Sequence, residues 1–265
     1  MMFRLFSSLW IALFLVFPSH VKAEWQFGSG VYPLQDNQTL AACKSTALQA
    51  AKMDAFSKAG RETLSSRTVE ICFDTNQVAN CELHSQTLNY YDGAYIAKTR
   101  NVKVTNTATD CMAALEADVR VYKSQHDPNF ILKGQISGSR IKRVGETFKI
   151  VGEVNKQAYL SIFYWSPNVK GDNYTKIFPN KHQGKSLISG TFAVPSHKKD
   201  GYVFEALMLP GESRQAINEW LFLLATKTNF ELLESESAES FYKRLDELGR
   251  ENWRLLQIGY TILKN

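Results

Sequence analysis

The sequence predicts an α+β fold in two parts: a small disulfide-bonded α+β unit, then a mostly-β, sandwich-like unit with one C-terminal helix. Three observations carry this. One alanine-rich stretch of helical period, 40–59, is followed by a strictly alternating strand at 113–122. All four cysteines, Cys43, Cys72, Cys81 and Cys111, fall in the first half. Beyond residue 130, short apolar runs are separated by turn signals, the pattern of a sandwich or barrel.

Taken in order, residues 1–23 read as a secretory signal. Arg4 supplies the positive end, 5–17 the apolar segment, and Val21-Lys22-Ala23 a small-residue cleavage site. The apolar segment is shorter than the ~20 residues that span a bilayer, and no later run is long enough. The expected destination is therefore the periplasm, across the inner membrane, with no transmembrane span left in the mature chain. The 265-residue chain carries a formal charge of +5, and cleavage would remove two of its cations, Arg4 and Lys22. Such a mild balance calls for no nucleic acid.

A first strand is expected at 25–32. Asp36 or Asn37 can cap the helix that follows. In that helix Leu40, Cys43, Ala47, Ala51, Ala55 and Ala59 recur on one stripe, and Gly60 is a natural stop. Small side chains along the stripe imply close approach to a sheet. The region 61–88 is mixed, with a strand or short helix, and 94–104 looks extended. In 113–122 Ala113, Leu115, Ala117, Val119 and Val121 alternate with polar or exposed positions.

An exported chain meets an oxidising compartment, so its cysteines are expected to pair. Cys111 shares parity with Ala113 and Leu115, and Cys43 lies on the helix stripe, so the two sulfurs can meet where stripe and strand face pack. That leaves Cys72 with Cys81. No C-x-x-C spacing favours a metal.

Residues 123–129 (KSQHDPN) are polar and turn-prone, which makes them the expected linker between a unit at 24–122 and one at 130–265. Strands are expected at 131–136, 147–154, 158–165, 174–178, 187–194 and 202–209. The run 220–226 reads equally as a strand or a buried helix. Ala238, Phe241, Leu245 and Leu248 form a helical stripe ending near Gly249, and 253–263 returns as a last strand. The strand 158–165 is apolar on both faces, so both faces should be covered. Tyr159, Phe163, Tyr164, Trp165 and Phe178 read as core aromatics, with a ligand groove as the alternative.

Two resemblances add to this reading. Trp25 and Gly28, the alanine-rich helix ending Ala59-Gly60, Ser65-Ser66, then Gln86, Gly93, Ile96 and the final LEADV strand resemble the N-terminal domain of the flagellar assembly protein T, part of the periplasmic ring around the polar flagellar motor. In the second half, AYLSIFYW, the strand ending KIFPN, Ala193-Val194-Pro195-Ser196 and Gly145-Glu146 resemble an uncharacterised bacterial envelope domain family with a Leu-Phe-Pro-Asn signature, Ile177 standing for the leucine. These likenesses imply an envelope location and a role beside a trans-envelope machine, flagellar or secretion-linked. They carry over no catalytic residue.

No motif for chemistry survives scrutiny. Gly184-Lys185-Ser186 matches the end of a phosphate loop, but Pro179 stands where the earlier glycine is required. H-E-x-x-H and G-x-S-x-G are absent, and His84 and His126 are isolated. The expectation is a non-enzymatic protein with no cofactor and no metal site. Its most basic loops hold Lys181, His182, Lys185, His197, Lys198 and Lys199. They read either as solvated loop charge or as a patch for an acidic partner. The expected partners are envelope proteins of a multi-protein assembly, or a second copy of the chain. The rival class is a periplasmic sensor of glycan or peptide.

Overall fold

A computed structural model describes residues 25–34, 40–59, 69–75, 78–84, 90–91, 94–166, 173–196, 201–212 and 214–264. The expected leader, the Asp36 or Asn37 cap, Gly60 and the basic residues His197, Lys198 and Lys199 lie outside them. Among the described residues the fold is mostly β, with two α-helices and one buried disulfide.

The first sheet is antiparallel. It contains β1 (Trp25–Pro33), β4 (Tyr90–Tyr91), β5 (Ala94–Asn106) and β6 (Asp110–Val121), in the order β1-β6-β5-β4. Helix α1 (Leu40–Lys58) lies on one face. Its stripe of Cys43, Ala47, Ala51 and Ala55 is sealed from solvent, as are Cys111, Ala113, Leu115 and Ala117 of β6. The alanines permit this approach, and so does Gly30 of β1: a Cβ there would sit 2.3 Å from the Ala47 carbonyl oxygen. Cys43 and Cys111 are bonded, with Cα atoms 5.8 Å apart, as the stripe and the strand parity require.

The region 61–88 contributes a hairpin of β2 (Val69–Thr75) and β3 (Val78–His84), in which Cys72 stands opposite Cys81. The side chains of both, and with them the second expected bridge, lie outside the described residues.

The second sheet is organised around one long strand, β10 (Ile150–Trp165). The expected strands at 147–154 and 158–165 are largely a single element, because the polar residues 155–157 between them are absorbed as a register shift and face solvent. Along one side β10 pairs first with β12 (Leu187–Val194) and then with β11 (Asn173–Phe178). Along the other it pairs with β7 (Leu132–Ile136) and then β14 (Ala216–Thr226). Outside β14 come β16 (Trp253–Leu263) and a parallel β8 (Ile141–Arg143). The ambiguous run 220–226 is thus a strand, its continuous apolarity explained by burial on both faces.

Both faces of β10 are wholly or partly covered over 158–165. Leu160 and Ile162 enter a core with Ile136, Leu223 and Ile258, while Phe163 enters an aromatic core with Phe241 and Trp253. Each fully buried large side chain contributes ~1.5–3 kcal/mol. The expected strand at 202–209 shrinks to β13 (Phe204–Glu205), paired with β9 (Thr147–Phe148). Helix α2 (Ala238–Leu248) starts at Ser237, whose Oγ accepts from the Ser240 N–H, and ends at Gly249, where φ is 84°. A short β15 (Ser235–Ser237) precedes it and pairs with β11.

The aromatic core joins the two parts. Tyr95, Ala97 and Tyr122 of the first half pack with Tyr242, Leu245 and Trp253 of the second. The stretch 123–129 is polar as expected, yet it is tied down. Ser124 Oγ donates to Glu251 and accepts from the Arg250 N–H. Asp127 Oδ2 lies 2.8 Å from Lys227 Nζ and 3.3 Å from Lys156 Nζ. Among the described residues no helix is long and apolar enough to cross a membrane.

Candidate functional site

The expected basic patch centres on the turn between β11 and β12, and Asn180 builds that turn. Its side-chain Oδ1 accepts from the backbone N–H groups of His182 and Gln183, at 2.9 and 3.0 Å, and its Nδ2 donates to the Ile177 carbonyl. Phe178 anchors the approach in the core. Lys181, His182 and Lys185 are left pointing outward, all exposed.

Gln183 then ties this turn to the chain on either side of 197–200. Its Nε2 donates to Ser196 Oγ at 3.2 Å, and its Oε1 accepts from Tyr202 Oη at 2.8 Å. The His182 ring stacks on Tyr202, centroids 5.7 Å apart. The residues flanking His197, Lys198 and Lys199 therefore sit against the Lys181–Lys185 turn, although those three are not themselves described. From residue 173 to 199 the sequence contains no Asp or Glu, so every formal charge on this stretch is positive.

Neither neighbouring strand edge is a simple template for a partner. Strand β11 is covered, because β15 pairs along Asn173–Thr175 and the Lys176 N–H donates to the Glu234 carbonyl. The edge of β12 pairs with no second strand among the described residues, but Gly190 at φ 72° breaks its run. The edge of β1 is blocked by α1: Asp54 Oδ2 accepts from the Ser29 N–H, and Lys58 Nζ donates to the Phe27 carbonyl.

The other sequence candidates resolve as structure. Gly184-Lys185-Ser186 leads into strand β12, so it has no helix N-terminus to hold a phosphate. Phe163 and Phe178 are core residues. Among the described residues no cluster of His, Cys, Asp and Glu could hold a metal ion.

Two constellations escaped the sequence reading because their members are far apart in the chain. Glu219 of β14 is buried and accepts from Ser166 Oγ at 3.0 Å. Burial, then its hydrogen bond to Glu219, holds the Tyr164 hydroxyl well above the usual tyrosine range. Ser166 and Glu219 are sealed from solvent, so this pairing cements the strands and leaves a substrate no access. The second is a cleft of about 460 Å³ lined by Trp25, Lys52, Lys98, Arg100 and Glu239, where β5 meets the start of α2. Its cations suit a small anion, but Arg100 bonds Glu116 at 2.6 Å and lies over Trp25, and Lys98 lies 3.2 Å from Glu239. Of these contacts Lys98–Glu239 bridges the two halves, while Arg100, Glu116 and Trp25 tie the first sheet to itself.

No family model, curated protein or solved structure matches this chain.

Proposed function

We propose that this is an exported, non-enzymatic envelope protein that works by docking other proteins of a trans-envelope assembly, flagellar or secretion-linked. The observation that carries this reading is the outward display of Lys181, His182 and Lys185 on a turn that Asn180 and Gln183 hold rigid. A braced backbone has less entropy to lose when a partner binds, and the cations it carries steer an acidic partner into contact. The periplasmic setting rests on the leader-like residues 1–23 and on the two family resemblances. On this reading an α+β unit and a mostly-β unit are fused through a shared aromatic core.

The test replaces Lys181, Lys185, Lys198 and Lys199 together with glutamate and measures partner recovery from isolated envelopes. The variant should keep its circular dichroism spectrum and lose its partner. Recovery should also fall with added salt in the parent, because exposed charges are screened beyond ~8 Å at physiological ionic strength. Unchanged recovery would move the interface elsewhere, first to the α+β half.

A further inference from the structure

Beside the basic turn the run 202–209 packs against the aliphatic core with strictly alternating burial. Tyr202, Phe204, Ala206 and Met208 turn inward onto the aliphatic core. The outward positions are Val203, Glu205, Leu207 and Leu209, and the three apolar ones are 61%, 62% and 49% exposed. The segment is pinned to the stretch 145–148, since β13 pairs with β9 in a two-stranded ladder of their own, the Gly145 N–H donates to the Ala206 carbonyl, and the Ala206 N–H to that of Glu146. Half-buried strands of exported proteins present polar groups outward. Here the outward face is apolar at three of four positions, which points to a covering partner.

The stripe is continuous with the candidate site. Tyr202, its first inward residue, stacks on His182 and bonds Gln183. From Val203 to Leu209 the chain spans at most ~20 Å at ~3.3 Å per residue. The surface is therefore cationic at one end and apolar along its length. An anionic membrane surface would meet the cations and the leucines, but also the exposed carboxylate of Glu205 in the middle of the stripe. That carboxylate disfavours anionic headgroups and suits a partner that brings a donor to it.

We propose that Val203, Leu207 and Leu209 form a docking stripe for a segment of another protein, apolar along its length and acidic at the end that meets Lys181 and Lys185. This names the partner chemistry of the docking function proposed above and rests on that reading.

The experiment uses the full mature chain and fluorescein-labelled synthetic peptides, read by fluorescence anisotropy. One peptide set alternates leucine with polar residues and carries three glutamates at one end; its control carries three lysines instead. The glutamate set should bind at least tenfold more tightly than the lysine set. Leu207→Ser with Leu209→Ser should weaken binding by tenfold or more and leave the melting temperature within a few degrees, because both side chains are exposed in the free protein. Lys181→Glu with Lys185→Glu should abolish the preference for glutamate. If the lysine variant loses binding and the leucine variant does not, the stripe is wrong and the basic docking site stands. If neither peptide set binds, or if the protein instead sediments with phosphatidylglycerol vesicles in a manner that depends on Leu207 and Leu209, the protein-docking stripe is overturned.

Discussion

The ring of Tyr95, on β5 of the first sheet, lies 5.9 Å from that of Tyr242 on α2, and both are sealed from solvent. Tyr122 bridges onward, 5.2 Å from Tyr95 and 5.4 Å from Trp253. Neither sheet can lose these contacts without exposing large aromatic surface of the other. Denaturation in urea, followed by fluorescence and by circular dichroism, should therefore give one coincident transition. Tyr95→Ala should cost roughly 3–5 kcal/mol, as for other buried aromatics truncated to alanine. Two separated transitions would show the halves folding independently.

The stretch 123–129 should resist proteolysis. Its carboxylate, Asp127, is held well below the usual aspartate range, first by the Lys227 ammonium, then by the Asn129 N–H and by Lys156. A lowered pKa means the ionised form favours the folded state. That contribution is in place above the unfolded value of ~3.9 and is lost only as pH falls through the folded value. Protection should thus persist down to about pH 4. Asp127→Ala should open the stretch to trypsin at Lys123 at neutral pH. Rapid cutting of the parent at this position would show that the clip does not hold.

Local pattern made much of this fold legible. Parity placed Cys111 on the same face as Leu115, the helical stripe placed Cys43, and the bond between them followed from both. Gly249 stops α2 where expected, because a left-handed residue after a helical stripe is a local requirement. Elements that depend on distant partners were harder. Residues 155–157 read as a break because polarity looks like a turn, whereas β7 and β12 hold the flanking ladder in register and let these residues bulge outward. The strand expected at 202–209 failed for the converse reason: its alternation is real, but β9 offers it only two residues to pair with. The basic turn was visible as composition. Its hydrogen-bond bracing was not, since Asn180, Gln183 and Tyr202 meet only once β11 and β12 are in place.

The Cys43–Cys111 bond spans 68 positions and joins α1 to β6. Closing a loop of this length removes unfolded-state entropy worth roughly 4 kcal/mol. Replacing both cysteines by serine should lower stability by about that amount, with a larger loss if the buried hydroxyls go unbonded. Equilibrium unfolding of the double variant against the oxidised parent measures it. Peptide mapping without reduction should recover Cys43 joined to Cys111; recovery of Cys43 joined to Cys72 or Cys81 would contradict the structure.

Asp246 of α2 is the residue whose ionisation works against the junction. Burial raises its pKa, and it does so against the attraction of Lys123 and Arg120, so desolvation is the larger effect. Its Oδ1 has no hydrogen-bond partner among the described residues. The same junction pushes the Tyr95 hydroxyl up to about 12, by burial first and then by the Asp246 charge. For an acid whose folded pKa is raised, the folded state holds the proton more tightly than the unfolded one. Stability therefore falls as pH rises from the unfolded value of ~3.9 through the folded value, and the cost is constant above that. Asp246→Asn keeps the shape and removes the charge. At pH 7 it should melt higher than the parent, by no more than about 1 kcal/mol because the site is only partly buried. As pH falls below the unfolded value of ~3.9 the parent becomes protonated in both states and the difference should shrink toward zero. Thermal melts of both proteins from pH 3.5 to pH 7 trace the effect. A variant less stable than the parent at pH 7 would mean that Lys123 and Arg120 outweigh burial after all.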